Sequence, residues 1–371
     1  MFTSSLPRVY VAGANAYGYT TAILLLLQGY KVTLMATRFP GDPDYSSTAN
    51  HPDDTTSQWQ TLASMSDASL QEYDISSFKM FWKLAKSKAY ESGIMIGSSF
   101  KYYQEPTEDQ SNPWWKHIVP GFEVIQKQEL PKNTKLGYHY TTVLINSKRY
   151  IHWLQTQFLA MGGRQRKTTM SKLSDAMTAQ DHVNILVNCT DNLALGCSST
   201  TARNPTEQKV QQQQWIINNA SQVRKSVSVN TKDEDLYLYP RMDGTIVFGS
   251  RQHTTGGGDV GTTGSHTTAR NVLNRISEYC PELTWGKGIN ALDITMDQEP
   301  VTKSIRQHGP RIENQLIVTP SGRKLAVTHN YGHDGYQSSW GSSKRAVTLV
   351  NDAFANLKKD SQAVSELLSR L

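Results

Sequence analysis

Apolar residues first cluster at Val9-Tyr10-Val11-Ala12, a short run that stops at Gly13 and reads as a buried strand. Gly13 to Gly18 then makes a tight turn. A helix follows from Tyr19 to Leu27, ended by Gly29, and Lys31-Val32-Thr33-Leu34-Met35 is the second strand. Together these form the first half of a βαβ unit of the dinucleotide-binding kind. Residues 41–58 are rich in Gly, Pro, Asp, Ser and Thr and read as a loop. Over 70–90 the positions of Phe78, Phe81, Trp82 and Leu84 suit an amphipathic helix that ends before Gly93.

Further on, 138–146 alternates as a strand, 149–161 is a helix stopped by Gly162-Gly163, and 183–187 is another buried strand. A β-rich region follows, with strands near 215–217, 235–239 and 245–248 and a helix over 267–279. Two more strands lie near 315–318 and 325–328, and a long helix closes the chain from 339 to 357. No internal repeat is present. Gly256-Gly257-Gly258 lacks the Lys-Ser/Thr of a P-loop and reads as a surface loop. Trp114-Trp115, after Pro113, packs a loop.

Composition narrows the picture. A length of 371 residues allows one large domain or two ordinary ones, and 17 Tyr with 8 Trp argue for a packed globule over disorder. The net charge of +6 is spread without a Lys/Arg block, so no nucleic-acid partner is expected. The longest apolar run is only Ala22 to Leu27, far short of the roughly 18 residues of a membrane span, and the N-terminus shows no signal peptide. Cys189, Cys197 and Cys280 have no metal-ligand spacing; they fit a reducing compartment and no metal. Ser369-Arg370-Leu371 is a variant of the Ser-Lys-Leu peroxisomal address, which predicts a peroxisomal location and an import receptor as partner. A chance tripeptide in a cytoplasmic protein is the alternative.

His329-Asn330-Tyr331-Gly332-His333-Asp334-Gly335-Tyr336-Gln337-Ser338-Ser339-Trp340-Gly341 closely resembles the signature segment of D-amino-acid oxidases. The opening βαβ unit, 142–153, Tyr237-Leu238-Tyr239-Pro240-Arg241 and His308-Gly309-Pro310-Arg311-Ile312-Glu313 fall in the same order as in that family, over essentially the whole chain. The resemblance implies an α/β (α+β) fold: a Rossmann-type FAD-binding domain interleaved with an antiparallel-sheet substrate domain. The first would comprise 1–60, 140–200 and 300–371, and the second 61–139 and 201–299. In that family the flavin takes a hydride from the α-carbon of a D-amino acid and oxygen reoxidises it. An arginine fork grips the substrate carboxylate and tyrosines close the pocket. Members are commonly dimers, so a homodimer is expected.

Departures from the family pattern gather at cofactor positions. The G-x-G-x-x-G turn reads Gly13-Ala14-Asn15-Ala16-Tyr17-Gly18, with Asn15 where a glycine lets phosphate approach. Asn tolerates the positive φ such a turn can need, but its side chain would stand in the phosphate path. Thr37, before Arg38, replaces the acid that holds the adenosine ribose, and one hydroxyl is a poorer anchor than a carboxylate. The flavin-cradling segment, 46–52, lacks its glycine. Asp191 replaces a glycine after Asn188-Cys189-Thr190, adding bulk and charge. Gln211-Gln212-Gln213 replaces Arg-Gly-Gln. Lys303-Ser304 stands for Arg-Pro, which keeps the charge but loses the planar fork. The loop before Gly335 is about two residues shorter, with Asp334 opposing the charge that flavin reduction develops.

Taken together, these departures favour an oxidase fold that has lost FAD and redox activity, with no cofactor favoured. The chain would then be a cofactor-independent isomerase, cyclase or lyase acting on a small carboxylate- or amine-bearing metabolite of specialised metabolism. Its catalytic set would be Tyr237, Lys303, His333 and Asp334. Tyr239, Arg241, Arg306, Tyr331 and Gln337 would bind the substrate, with His329 alongside. Gly13, Asn15, Gly18, Thr37, Arg38, Asp191 and Gly335 would be vestigial cofactor contacts. The first alternative is an active FAD-dependent D-amino-acid oxidase with an atypical substrate; the second is a non-catalytic binding protein. His329 and Tyr331 equally suit strand-end hydrogen bonding, and Arg241 and Arg311 equally suit ordinary surface or interdomain charges.

Overall fold

A computed structural model of the chain describes residues 7–43, 45, 57–177, 183, 185–190, 207–252, 266–306, 309–319, 322–333 and 335–369. Of these, 57, 207–213, 252, 266–268, 296–305, 358 and 360–369 are described by their backbone alone. The chain forms two compact units: Met1–His51, Ile151–Thr206 and Arg306–Leu371 make the first, Pro52–Tyr150 and Glu207–Ile305 the second.

Strands are numbered in chain order. The first unit holds β1 (Arg8–Ala12), β2 (Lys31–Ala36), β7 (Arg164–Lys167), β8 (Ile185–Asn188), β14 (Arg311–Val318) and β15 (Lys324–Tyr331). The second holds β3 (Ser57–Gln58), β4 (Ile94–Tyr103), β5 (Glu123–Val124), β6 (Leu136–Ile145), β9 (Glu207–Ile217), β10 (Lys225–Asn230), β11 (Glu234–Pro240) and β12 (Ile246–Gln252). The last of its strands, β13 (Ile294–Arg306), ends at the changeover between units.

In the first unit the sheet order is β14-β15-β8-β1-β2-β7, parallel except for β14. Four of the five β1 residues are buried without alternation, as a strand covered on both faces requires. The helix Ala16–Leu27 is likewise buried nearly all round. It is fastened to the closing helix Ser339–Ser369 by Thr21 Oγ1 donating to Ser343 Oγ at 2.9 Å. The opening helix starts three residues before the expected Tyr19, because Asn15 caps it, and the closing helix extends well past 357.

The second unit is a nine-stranded sheet whose main path runs β13-β9-β12-β11-β10-β4-β6-β3, with β5 on β6. Alternation in Lys225-Ser226-Val227-Ser228-Val229-Asn230 sorts its two faces. Val227, Val229, Leu236, Leu238, Ile246, Phe248, Trp215 and Ile217 build an apolar core with Ala269, Val272, Leu273 and Ile276 of the helix His266–Ser277. Each of the larger of these side chains contributes about 1.5–3 kcal/mol by leaving water. The other face is polar and carries Gln214, Ser226, Ser228, Tyr237 and Tyr239. Trp115 packs edge-on against Phe122 and Tyr138, and the Trp114 indole N–H reaches the Ala63 carbonyl at 2.9 Å, so the tryptophan pair packs its loop. As far as the described residues show, the α/β fold with interleaved segments agrees with the expectation.

Candidate functional site

The turn between β1 and the opening helix is held by close contacts. Gly13 has φ +113°, and a Cβ added there would lie 2.6 Å from the Cys189 carbonyl oxygen at the end of β8. A Cβ on Gly18 would fall 1.9 Å from the Gly13 carbonyl oxygen, so only glycine lets the helix lie this close to the turn. The Gly13 N–H donates to Met35 O at 2.9 Å, and the Tyr45 hydroxyl donates to Ala14 O at 3.0 Å.

Asn15 fills the turn in a way the sequence did not predict. Its backbone is extended, with φ −107° and ψ −179°, so no left-handed conformation is involved. Its side chain is 2% exposed and folds inward. Oδ1 accepts the Gly18 N–H at 2.9 Å, capping the helix, and Nδ2 donates to Cys189 O at 2.7 Å. The expected obstruction of the phosphate path is thus corrected: the amide is spent inside the turn. A glycine-tight turn running into the N-terminus of a twelve-residue helix suits an anionic pyrophosphate, so these residues fit FAD.

At the end of β2, Thr37 is exposed and Arg38 half-buried. An acid does stand in this loop, five residues beyond Thr37. Asp42 takes the Lys167 ammonium and the Phe39 N–H, both at 2.8 Å. Those two contacts hold its carboxyl below the usual carboxylate range, and Arg38 adds to the effect.

The segment that follows β15 is pinned to the opening helix. The Tyr17 ring stacks on His333, centroids 3.8 Å apart, and its hydroxyl donates to the Gly335 carbonyl at 2.6 Å. His333 Nε2 lies 2.9 Å from Asn330 Oδ1, and Nδ1 lies 3.4 Å from Ser338 Oγ. Burial pushes the His333 imidazole down to about 3, so it is neutral, with the proton on Nε2. Gly335 has φ +94°, and a Cβ there would meet the Gln337 side chain.

His329 is similarly committed. Asn188 Oδ1 accepts from the Thr190 N–H and hydroxyl, which turns the Asn188 amide nitrogen toward His329 Nδ1 at 3.3 Å. The remaining nitrogen, Nε2, therefore carries the proton and donates to Gln315 Oε1 at 2.9 Å. Burial, then the positive Arg311 and Arg306, push His329 down to about 3. Arg306 stands over the Tyr331 ring, 5.8 Å from its centroid, and its Nε is buried without a hydrogen-bond partner among the described residues. A side chain on Gly332 would collide with Arg306, 2.7 Å from its Cδ. Arg311 is bound up with Glu313 and Gln315 on β14.

In the second unit, Tyr237 and Tyr239 lie on one face of β11 with their rings stacked, centroids 5.2 Å apart. The Tyr237 hydroxyl makes a long 3.5 Å bond to Gln214, and Tyr239 meets Ser228 at 3.3 Å. Burial raises the Tyr239 hydroxyl, keeping it protonated. Gly249 stands opposite Tyr237 on β12. Arg241 is buried, and its backbone closes the β11–β12 turn with Thr245 and Gly244.

Gln58 anchors this face from β3. Its Oε1 accepts from Ser99 at 3.0 Å and Ser226 at 2.6 Å, while Nε2 donates to Ser228 at 3.2 Å. The sequence reading gave neither Gln58, which it placed in a loop, nor Tyr17 a role in the site. The alternating β10 pattern was the legible signal for a polar face; nothing local marked Tyr17.

Of the proposed catalytic set, His333 belongs to the first unit and Tyr237 to the second, and Lys303 is described by its backbone on β13. Asp334 and Asp191 lie outside the described residues, as do His308, 46–52, 191–206 and the Arg370-Leu371 end of the address. Among the described residues no His, Cys, Asp and Glu cluster could hold a metal, and no helix is long and apolar enough to cross a membrane.

A family model described as FAD dependent oxidoreductase matches residues 8–349. The chain is 27% identical to a D-amino-acid oxidase of Schizosaccharomyces pombe, covering 94% of this chain and 98% of that protein. It is 24% identical to a human D-aspartate oxidase, covering 95% and 96%. Among solved structures, glycine oxidase from Bacillus cereus superposes with a TM-score of 0.65 at 12% identity, over 93% of this chain and 95% of that one, a likeness of fold. These findings correct two expectations, that FAD is lost and that the chemistry is a non-redox isomerisation, cyclisation or lysis. The matched family is FAD dependent, the relatives are named as oxidases, and Asn15, the departure most directly in the phosphate path, is accommodated within the turn.

Proposed function

The chain belongs to the FAD dependent oxidoreductase family, and on that premise we propose that it is an FAD-dependent D-amino-acid oxidase with an atypical substrate. The observation that carries the reading is the Gly13–Gly18 turn, whose close packing and helix N-terminus suit the FAD pyrophosphate. FAD, when bound, supplies the acceptor for the hydride leaving the amino-acid α-carbon, and dioxygen then takes the two electrons to give peroxide.

The chain's own residues bind and orient. The resemblance assigns the α-carboxylate to Lys303, which stands for the family's arginine and would meet it as a point charge without the directional fork. Tyr237 and Tyr239 present hydroxyls on a polar sheet face, and Tyr239 stays protonated as a donor. His329 and His333 remain neutral and position their strand and loop. Ser369-Arg370-Leu371 supports peroxisomal delivery, a compartment suited to a peroxide-forming enzyme.

The test is the visible spectrum of the purified protein, before and after excess FAD and removal of the free flavin, followed by a D-amino-acid panel with peroxide detection. A retained flavin spectrum with peroxide formation is expected. A colourless protein that refuses FAD overturns the reading.

A further inference from the structure

The polar face of the second unit contains a cation that nothing nearby neutralises by contact. Lys101, on β4, is 9% exposed, and burial lowers its ammonium pKa. Among the described residues no side chain pairs with its Nζ in an ion pair or hydrogen bond; it stands over the face of Tyr103, 5.3 Å from the ring centroid. Asp235 lies on the same face and its charge favours the ammonium without contacting it; it also pairs in register with Arg251 on β12 and takes the Asn230 amide at 2.7 Å. The Tyr140 and Tyr239 hydroxyls on the same face are both raised by burial and are therefore neutral.

Strand register places this lysine with respect to the tyrosines. Lys101 pairs with Ser228 on β10, and Ser228 pairs with Tyr237 on β11, so the three form one row across the sheet. Two strand spacings, about 10 Å between backbones, separate Lys101 from Tyr237, and both side chains rise from the same face. A span of that order matches the length of a short, doubly charged molecule whose one end lies at the tyrosines. A largely buried ammonium that no carboxylate touches is costly, and an incoming carboxylate in contact with it lowers that cost; a neutral side chain does not.

Resting on the oxidase reading above, we propose that Lys101 is a substrate-specificity residue that receives the side-chain carboxylate of a dicarboxylic D-amino acid. Gln58 and Ser228 hold the row in shape beside it. The neutral analogue with an amide in place of the carboxylate leaves Lys101 uncompensated and is the poorer substrate.

The experiment compares D-glutamate and D-aspartate with D-glutamine and D-asparagine, in the FAD-loaded wild type and in Lys101→Met and Lys101→Arg. The wild type is expected to favour each acid over its amide at least tenfold in kcat/KM. Lys101→Met should abolish that preference through KM, with amide turnover kept, and Lys101→Arg should restore part of it. Lys101→Met exchanges a desolvated cation for an apolar side chain of similar length, so it should fold at least as stably.

Thermal stabilisation by glutarate, with butyrate as the singly charged control, gives a readout that needs no turnover. Glutarate should raise the wild-type melting temperature more than butyrate does, and this difference should vanish in Lys101→Met. Amino acids oxidised with no acid preference, or a preference that survives Lys101→Met, overturn the subsite. No oxidation of any D-amino acid, with a Lys101-dependent glutarate shift intact, overturns the oxidase reading and leaves the subsite standing.

Discussion

Asn15 gives the sharpest test of how the turn is built. At an exposed helix N-cap, Asp and Asn are equivalent, and both exceed Ala. Here Asn15 has a second duty, since its Nδ2 donates to the Cys189 carbonyl at 2.7 Å while Oδ1 caps Gly18. Asn15→Ala loses the cap, about 1 kcal/mol, and one buried hydrogen bond, about 1 kcal/mol more. The resulting loss of about 2 kcal/mol corresponds to about 4–8 °C for a unit of this size.

Asn15→Asp keeps the cap but turns a carboxylate oxygen toward Cys189 O in a site that is 2% exposed. A buried charge without compensation costs about 3–5 kcal/mol, so Asp should be worse than Ala, the reverse of the surface ranking. Burial and the facing carbonyl raise the folded pKa of that Asp. The penalty is therefore full above the raised pKa and shrinks as pH falls through it, because the protonated acid can donate to Cys189 O. Thermal melts of both variants at about pH 8 and about pH 5 decide the matter. Asp and Ala variants of equal stability at both values would refute the double role.

Other predictions follow from the same kind of accounting. His329 and His333 are held at about 3, against an ordinary 6.5. Between those values the unfolded chain takes up protons that the folded one refuses, so stability falls as pH drops, by about 1.4 kcal/mol per pH unit for each histidine. Urea midpoints from about pH 7 to 4 should show a shallower slope in His333→Gln; an unchanged slope contradicts the assignment. Gly18→Ala should prevent the first unit from folding stably, because its Cβ would sit 1.9 Å from Gly13 O. Gly41→Ala, with nothing within 4 Å and only its φ of +96° to strain, should cost about 1 kcal/mol. Circular dichroism melts separate the two. Gln58→Leu removes three hydrogen bonds from Ser99, Ser226 and Ser228 and should cost about 2–3 kcal/mol in denaturant unfolding. A near-neutral result would mean that the serines re-pair among themselves.

Legibility in the sequence followed the physics of each segment. The opening strand, helix and second strand stood out because a short buried strand, a Leu-rich helix and Gly29 are strong local signals, and they lie where expected. The helix start was placed three residues late because Asn15 was read as a displaced glycine and its N-capping role went unused. Strand β4 passed unseen: its burial does not alternate cleanly, since its central position in a sheet depends on β6 and β10, which arrive from elsewhere in the chain. Strand β10 alternates strictly and could have been found. At the site, Tyr237 and Tyr239 share one face of β11, which their spacing of two on a strand dictates. The stacking of Tyr17 on His333 joins residues more than 300 positions apart and left no local trace. Reading each motif departure as a loss was the error that mattered, because the turn satisfies Asn15 internally.

The interleaving of the two units also sets a timetable for biosynthesis. Strand β8 sits between β1 and β15, so one of its edges stays open until Lys324–Tyr331 has been made. About 300 residues separate the end of β2 from the end of β15, which at ribosomal rates is a delay of about 15–60 s. The second unit needs nothing beyond Ile305. The unit that begins the chain is therefore the last to finish, and through that interval its buried strands are a natural client for chaperones.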